Sequence, residues 1–321
     1  MSRQRQEAAF IPGVLENCLG KSARTPMSGI LRQAAALIKL SKPGIVLAEV
    51  MAGLAGMLLV SAGQAEISVC APVLMAIALA AGGAAMLNCW FEASSDRQMA
   101  RLASRSLALE TAVPSRVLVI ALAMIIAGLA LAALSTTSSA LGLLAVGCFS
   151  YLLLYTVWLK RRSPWGVLAG CIPGALPPLI GAAAISSSPL TPAPLLLSAL
   201  IFVWQLPHFW FLALECRDQY VKAGIPALPV THGVPLTNSL TMATALLLLP
   251  LTIAIGRTAP LSPLFTVAAT AAGIGFALLC ASCLYGSRNY RLGFRASLVY
   301  LLLIFCAICA DSLTVLTVSN Q

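Results

Sequence analysis

Asn88, Glu92 and Asp96 stand at i, i+4 and i+8. If the helix that carries Asn88 continues, all three lie on one face. Two carboxylates and an amide oxygen on one stripe make a hard-oxygen surface suited to Mg²⁺. Arg101 and Arg105 follow, again four apart, and guanidinium groups hold phosphate oxygens bidentately. The same segment also reads as a solvated helix end laced with salt bridges. A second polar group starts within Trp204-Gln205-Leu206-Pro207-His208-Phe209-Trp210 and runs on through Glu215, Arg217, Asp218, Tyr220 and Lys222. Two such clusters in one chain suggest a pseudo-repeat facing a single cavity, with chemistry directed at a polyanion.

The elements that must position these residues are apolar helices. Of the 321 residues, 60% are hydrophobic and only 9% charged, against about a quarter charged in a soluble domain. Too few polar side chains exist to cover a soluble globule, so lipid is the main solvent. Apolar stretches near 44–64, 68–90, 116–135, 139–158, 165–185, 194–214, 237–256, 264–285 and 296–316 each approach the roughly 20 residues that span a bilayer core. The chain is therefore expected to be all-α, a polytopic membrane protein with about nine transmembrane helices in one bundle. Pro173, Pro177 and Pro178 predict a kink or break in the fifth span. Both polar clusters then fall at the same membrane edge, after spans two and six.

The net charge of +10 points to the bilayer and not to nucleic acid. With the N-terminus in the cytoplasm, the basic residues of the N-terminal segment and of the 91–116, 160–162, 215–235 and 286–295 loops are all cytoplasmic, as the positive-inside rule requires. Arg257 alone lies outside this pattern, and the C-terminus falls on the opposite side. Residues 1–35 are polar, mixed in charge and free of an apolar signal core; they read as a loosely ordered cytoplasmic tail ahead of a membrane domain over 36–321. Cys280/Cys283 and Cys306/Cys309 lie inside apolar spans without a nearby His, which suits packing better than zinc. His208 and Glu49 are ionisable groups at membrane depth, where such residues are functional candidates. Glu49 has no recognisable partner in the sequence.

These residues resemble the UbiA superfamily of intramembrane prenyltransferases, which has nine helices and acidic motifs after helices two and six. Within it, the resemblance is strongest to the haem-prenylating group, the protoheme IX farnesyltransferases. The matches are Lys39-Leu-Ser-Lys42-Pro43, the Asn88 to Arg105 motif, Tyr155 to Trp165, Gly174 to Gly181, Pro207 to Trp210 and Tyr220 to Val230, in family order. Departures stand beside them. Glu92 replaces the usual middle aspartate, and Ser94 replaces a further acid. Leu102 and Ser106 replace the usual Thr and Pro, and Gln219 replaces one of two adjacent acids, leaving Asp218.

The resemblance implies transfer of a farnesyl group from farnesyl diphosphate to a vinyl group of haem B, with addition of water, giving haem O and diphosphate. A haem A synthase step would lie downstream, and the membrane would be the cell inner membrane. The resemblance also implies Mg²⁺ on Asn88, Glu92 and Asp96, with Asp218 holding a second ion or orienting a base. Arg101, Arg105 and Lys42 would hold the diphosphate. Lys160, Arg161 and Arg162 would meet the haem propionates, His208 would contact the haem, and Tyr155, Tyr220 and Lys222 would complete the substrate contacts. The alternatives are prenyl transfer to another acceptor, a catalytically silent haem-binding assembly paralogue, or a transporter. The last would place its charges near the midplane, whereas these lie at one edge.

Overall fold

Proline opens many helices in this chain. Pro43, Pro114, Pro177, Pro192 and Pro263 each sit in a first turn, where the missing N–H has no helical partner to lose and the fixed φ suits the helix. The computed structural model describes residues 26–186 and 190–319, and these form helices and connecting turns with no strand. The helices are α1 (Pro26–Leu40), α2 (Pro43–Ser61), α3 (Ile67–Phe91), the single turn α4 (Ala93–Asp96), α5 (Ala103–Ala112), α6 (Pro114–Ser135), α7 (Ser138–Leu159), α8 (Gly166–Ala175) and α9 (Pro177–Ile185). They continue as α10 (Pro192–Glu215), α11 (Arg217–Lys222), α12 (Leu228–Thr231), α13 (Gly233–Thr258), α14 (Pro263–Gly286) and α15 (Tyr290–Ser319).

Among the described residues, nine segments are long and apolar enough to cross a membrane: α2, α3, α6, α7, α8 with α9, α10, α13, α14 and α15. This is the all-α, nine-span bundle that the apolar stretches predict. The fifth span is broken, as its prolines require: hydrogen bonding is interrupted at Leu176 between α8 and α9. Pro177 and Pro178 cannot donate to the preceding turn.

Four apolar cores hold the helices together, the smallest formed by Cys171, Leu206, Trp210 and Leu228. One joins α2, α10, α13, α14 and α15 through Leu197, Phe211, Leu248 and Ile304, and Cys280 and Cys283 pack into it. Another joins α1, α3, α5 and α6 through Leu40, Met86, Leu109 and Val117. A third joins α2, α3, α6, α7 and α9 through Met57, Ile77, Leu144 and Ile180. Where α2 crosses α9 there is no room for side chains. A Cβ on Gly56 would lie 2.0 Å from the Pro178 carbonyl oxygen, and one on Gly181 would lie 2.0 Å from that of Gly53. Small residues let two backbones meet in this way inside a membrane.

The sequence places the start of order near residue 36, but α1 begins at Pro26. Residues 26–35 are therefore helical, and the rest of the expected tail lies outside the described residues. The reason is amphipathicity. Ala36 and Leu40 are buried in the core that α1 shares with α5, while Ile30, Leu31 and Ile38 are exposed. Such a helix suits a membrane interface.

Candidate active site

The polar ends of α2, α3, α7 and α10 converge at one end of the bundle, around a cavity of about 390 Å³. At its mouth stand Lys42, Asn88, Glu92, Arg101, Arg105 and Lys160. Farther in, the walls are apolar, including Ile45, Ile77, Ala80, Leu144 and Ile180.

Lys42 sits in the turn between α1 and α2 with φ 52° and ψ 63°, a left-handed conformation that costs a non-glycine residue roughly 1–2 kcal/mol. This backbone carries the ammonium inward. Lys42 Nζ donates to Asn88 Oδ1 at 2.6 Å and to the Tyr151 hydroxyl at 3.4 Å. Asn88 is buried, and its Nδ2 donates to Thr156 Oγ1 at 3.1 Å. Burial pushes the Lys42 ammonium below the ordinary lysine range, against the opposing pull of Cys89, Glu92 and Asp96.

The spacing of Asn88, Glu92 and Asp96 survives a break in the helix. α3 ends at Phe91, yet Glu92 N–H donates to the Asn88 carbonyl and Asp96 N–H to that of Glu92, so the three stay in helical register. Both carboxylates are buried and engaged. Glu92 accepts from Lys160 Nζ and, at 3.3 Å, from Arg105 Nη2; the same Arg105 nitrogen pairs with Asp96. Burial opposes the Glu92 carboxylate, but Lys160, Lys42 and Arg105 outweigh it and hold its carboxyl below the ordinary range. Arg105 Nε is buried without a partner, an orphaned donor at the mouth of the cavity. Four cations (Lys42, Arg101, Arg105 and Lys160) and one carboxylate, Glu92, line the mouth, while Asp96 pairs with Arg105 but does not itself line the cavity.

Lys160 reaches Glu92 because α7 changes pitch. Residues Ser150–Leu159 form a π-helix. Its wider turn is marked by the Lys160 N–H to Tyr155 carbonyl bond and by Thr156 Oγ1 donating to the Tyr151 carbonyl. Tyr151, Tyr155 and Lys160 thereby all line the cavity. Such π segments concentrate at functional sites. Gly170 and Gly174 keep the opposite wall open: a Cβ there would meet the Tyr155 ring at 2.9 Å or Gln205 Oε1 at 2.5 Å.

The second cluster closes the mouth with other residues than the acid the sequence singles out. Arg101 Nη2 donates to the Tyr220 hydroxyl at 3.0 Å, and Arg101 N–H donates to Gln219 Oε1 at 3.1 Å. Gln219, where the family pattern has an acid, thus ties one loop to the other. Asp218 and Lys222 are exposed on α11 and line no part of the cavity. Their side of this short helix faces away from the loop it packs on. Arg161 donates to Ser95 Oγ at 3.3 Å, while Arg162 is exposed; neither lines the cavity. We therefore expect Asp218→Ala to change kcat/KM by no more than about twofold, the scale of an exposed substitution. Steady-state diphosphate release would show this, and a large loss would put Asp218 back in the site.

His208 also points away from the cavity. It stacks between Trp204 and Phe294, at 4.8 and 4.4 Å, with Nδ1 2.8 Å from Ser297 Oγ. On α10 the stripe Trp204, His208, Phe211 faces α15, whereas Gln205, Phe209 and Ala213 face the cavity. The residues that sequence reasoning missed are Tyr151, Thr156 and Gln205. The five-residue step from Tyr155 to Lys160 was the one available signal for the altered pitch.

Taken together, an all-α bundle with a cationic, carboxylate-bearing mouth above an apolar cavity defines an intramembrane enzyme for a substrate with an anionic head and an apolar tail. Digeranylgeranylglyceryl phosphate synthase has a similar fold, with TM-score 0.69 over 88% of this chain and 99% of that one at 16% identity. So does a UbiA homolog from Archaeoglobus fulgidus bound to DMAPP and Mg²⁺, with TM-score 0.65 over 85% and 98% at 14% identity. Residues 50–299 match the UbiA prenyltransferase family, and the chain belongs to that family. Within it, the chain is 42% identical to the protoheme IX farnesyltransferase of Geotalea uraniireducens, over 79% of this chain and 98% of the relative.

Proposed function

We propose that this enzyme transfers a farnesyl group from farnesyl diphosphate to a vinyl group of haem B, with addition of water, to give haem O and diphosphate. The observation that carries the reading is the cavity: a surplus of cations at its mouth, an apolar interior, and relatives whose names specify protohaem and farnesyl. The membrane would be the cell inner membrane, with the N-terminus and the mouth on the cytoplasmic side and the C-terminus opposite. A haem A synthase step would consume the product.

The diphosphate lies against Lys42, Arg101, Arg105 and Lys160, and the orphaned Arg105 Nε supplies a further donor. In the structure, three of these cations hold oxygens of Asn88, Glu92 and Asp96. A diphosphate competes for the same cations and frees those oxygens. The freed set, two carboxylates and an amide on successive turns, suits a hard cation, and Asn88, Glu92 and Asp96 would hold Mg²⁺. When bound, Mg²⁺ neutralises charge on the leaving diphosphate. Arg105, Lys160 and Lys42 contribute in the same sense as fixed positive charges aimed at where negative charge develops. Tyr151 and Tyr155 line the cavity, and an allylic cation is stabilised by ring faces. The apolar walls keep bulk water from the chain.

The test is purified protein in nanodiscs with haem B, farnesyl diphosphate and Mg²⁺, followed by mass spectrometry of the extracted haem. We expect haem O, and its loss with EDTA and in Glu92→Ala and Asp96→Ala. No haem product, beside an active control enzyme, would overturn the reading; farnesylation of a phenolic acceptor instead would identify a different prenyl transfer, and haem binding without diphosphate release a silent paralogue.

A further inference from the structure

Glu49 takes no part in the diphosphate mouth, yet it lines the same cavity. It lies on α2 seven residues after Lys42, so about 10 Å deeper along the helix at 1.5 Å per residue. Ile45 and Glu49 share one face of α2, and both line the cavity together with Lys42. The apolar walls of this cavity include residues of α3 (Ala81, Ala84), α7 (Leu144, Cys148) and α9 (Ile180). Among the described residues, no hydrogen bond or ion pair engages its carboxylate. Two other polar groups of the cavity are engaged: the Gln205 amide nitrogen donates to the Cys171 and Ile201 carbonyls, at 2.9 and 3.2 Å, and the Tyr151 hydroxyl accepts from Lys42. A carboxylate held within an apolar chamber is costly to keep there, and packing gives no reason for it.

The reaction does give one. We propose that Glu49 is the base that takes the proton from the water added to the haem vinyl group; this rests on the haem-farnesylating reading above. The allylic C–O bond of farnesyl diphosphate breaks, and its electron pair leaves with the diphosphate held at the mouth. The vinyl π pair forms the new C–C bond to farnesyl C1, which leaves a cation on the vinyl carbon next to the porphyrin ring. A water lone pair closes on that carbon. The extra proton on the new hydroxyl passes to the Glu49 carboxylate and then to solvent through the mouth. Without a base to orient and deprotonate the water, the same cation quenches by losing a proton from carbon, and the product is a farnesylated alkene lighter by one water. The position of Glu49 thus decides which fate the cation meets: it stands inward of the leaving group, as a carboxylate lining that deeper part of the cavity.

The experiment compares full-length wild-type protein, Glu49→Gln and Glu49→Asp in nanodiscs with haem B, farnesyl diphosphate, Mg²⁺ and ¹⁸O-labelled water, and measures the ratio of hydrated to dehydrated farnesyl haem by mass spectrometry. Glutamine is isosteric, and a melting curve checks that the variant folds. The expected result is a fall of about 100-fold in the hydrated share for Glu49→Gln, the lower end of what a positioned base contributes, with partial recovery for Glu49→Asp. A hydrated share equal to that of wild type in both variants would overturn the proposal. So would an equal loss of both products, which marks Glu49 as structural. If wild-type protein itself makes no farnesyl haem, the functional reading fails first and the role of Glu49 falls with it.

Discussion

Arg105→Ala lowers kcat/KM by at least about 100-fold, the scale of removing one preorganised charge-stabilising donor from an active site. This guanidinium bridges Glu92 and Asp96, and its own side chain is only 16% exposed. Its removal leaves two buried carboxylates with Lys160 as their remaining close cation, and breaking a buried pair in this way costs about 3–5 kcal/mol. Its Nε is in addition a donor without a partner, which the diphosphate would engage. The loss should therefore appear in kcat as well as KM, because the charge it faces grows as the allylic bond breaks. Arg105→Lys keeps the charge but loses the fork, and should recover only part of the rate. Diphosphate release by the two variants, at saturating and limiting farnesyl diphosphate, measures this. Wild-type kcat in Arg105→Ala would show that the bridge is structural only.

Gly56→Ala removes most activity and most folded protein. A single methyl at that position would stand 2.0 Å from the Pro178 carbonyl oxygen. Backbone, unlike the end of a flexible side chain, cannot swing aside, so α2 and α9 must part. α2 also carries Glu49 and follows directly from Lys42, and a 1 Å misplacement in an active site costs about 100-fold. The contrast is Gly142→Ala or Gly275→Ala, where a Cβ meets nothing within 4 Å and both yield and rate should stay at wild-type levels. Fluorescence-detected size exclusion reads the folded yield, and the haem assay reads the rate. Normal yield and rate for Gly56→Ala would show that the α2–α9 crossing has slack that the structure does not show.

The bundle was legible because it rests on local quantities. Apolar runs of about 20 residues, proline at helix starts, and basic residues gathered in alternate loops need no knowledge of neighbours. The Asn88, Glu92, Asp96 stripe was legible for the same reason, since helical register sets which residues share a face. The departures at Glu92 and Gln219 were visible, but their consequences were not: Lys160 is 68 residues from Glu92 and Gln219 is 118 from Arg101. His208 shows the same limit. A histidine among aromatics at membrane depth points to function, yet its rotation about α10 turns it onto Phe294 and Ser297 of α15. Asp218 lost its expected place because a six-residue helix, α11, presents Tyr220 to Arg101 and leaves Asp218 exposed.

The sequence by itself determined that this chain lives in lipid, how many times it is able to cross, and where along it the ionisable groups fall. Each of these follows from the cost of placing backbone or charge in hydrocarbon, which a single segment meets or fails to meet alone. Only the tertiary structure decided which ionisable groups share a cavity. That depends on helix rotation, on the π-helical turn that sets Tyr151, Tyr155 and Lys160 together, and on the glycine contact of α2 with α9. These are properties of pairs of helices far apart in the chain, so no window of sequence contains them.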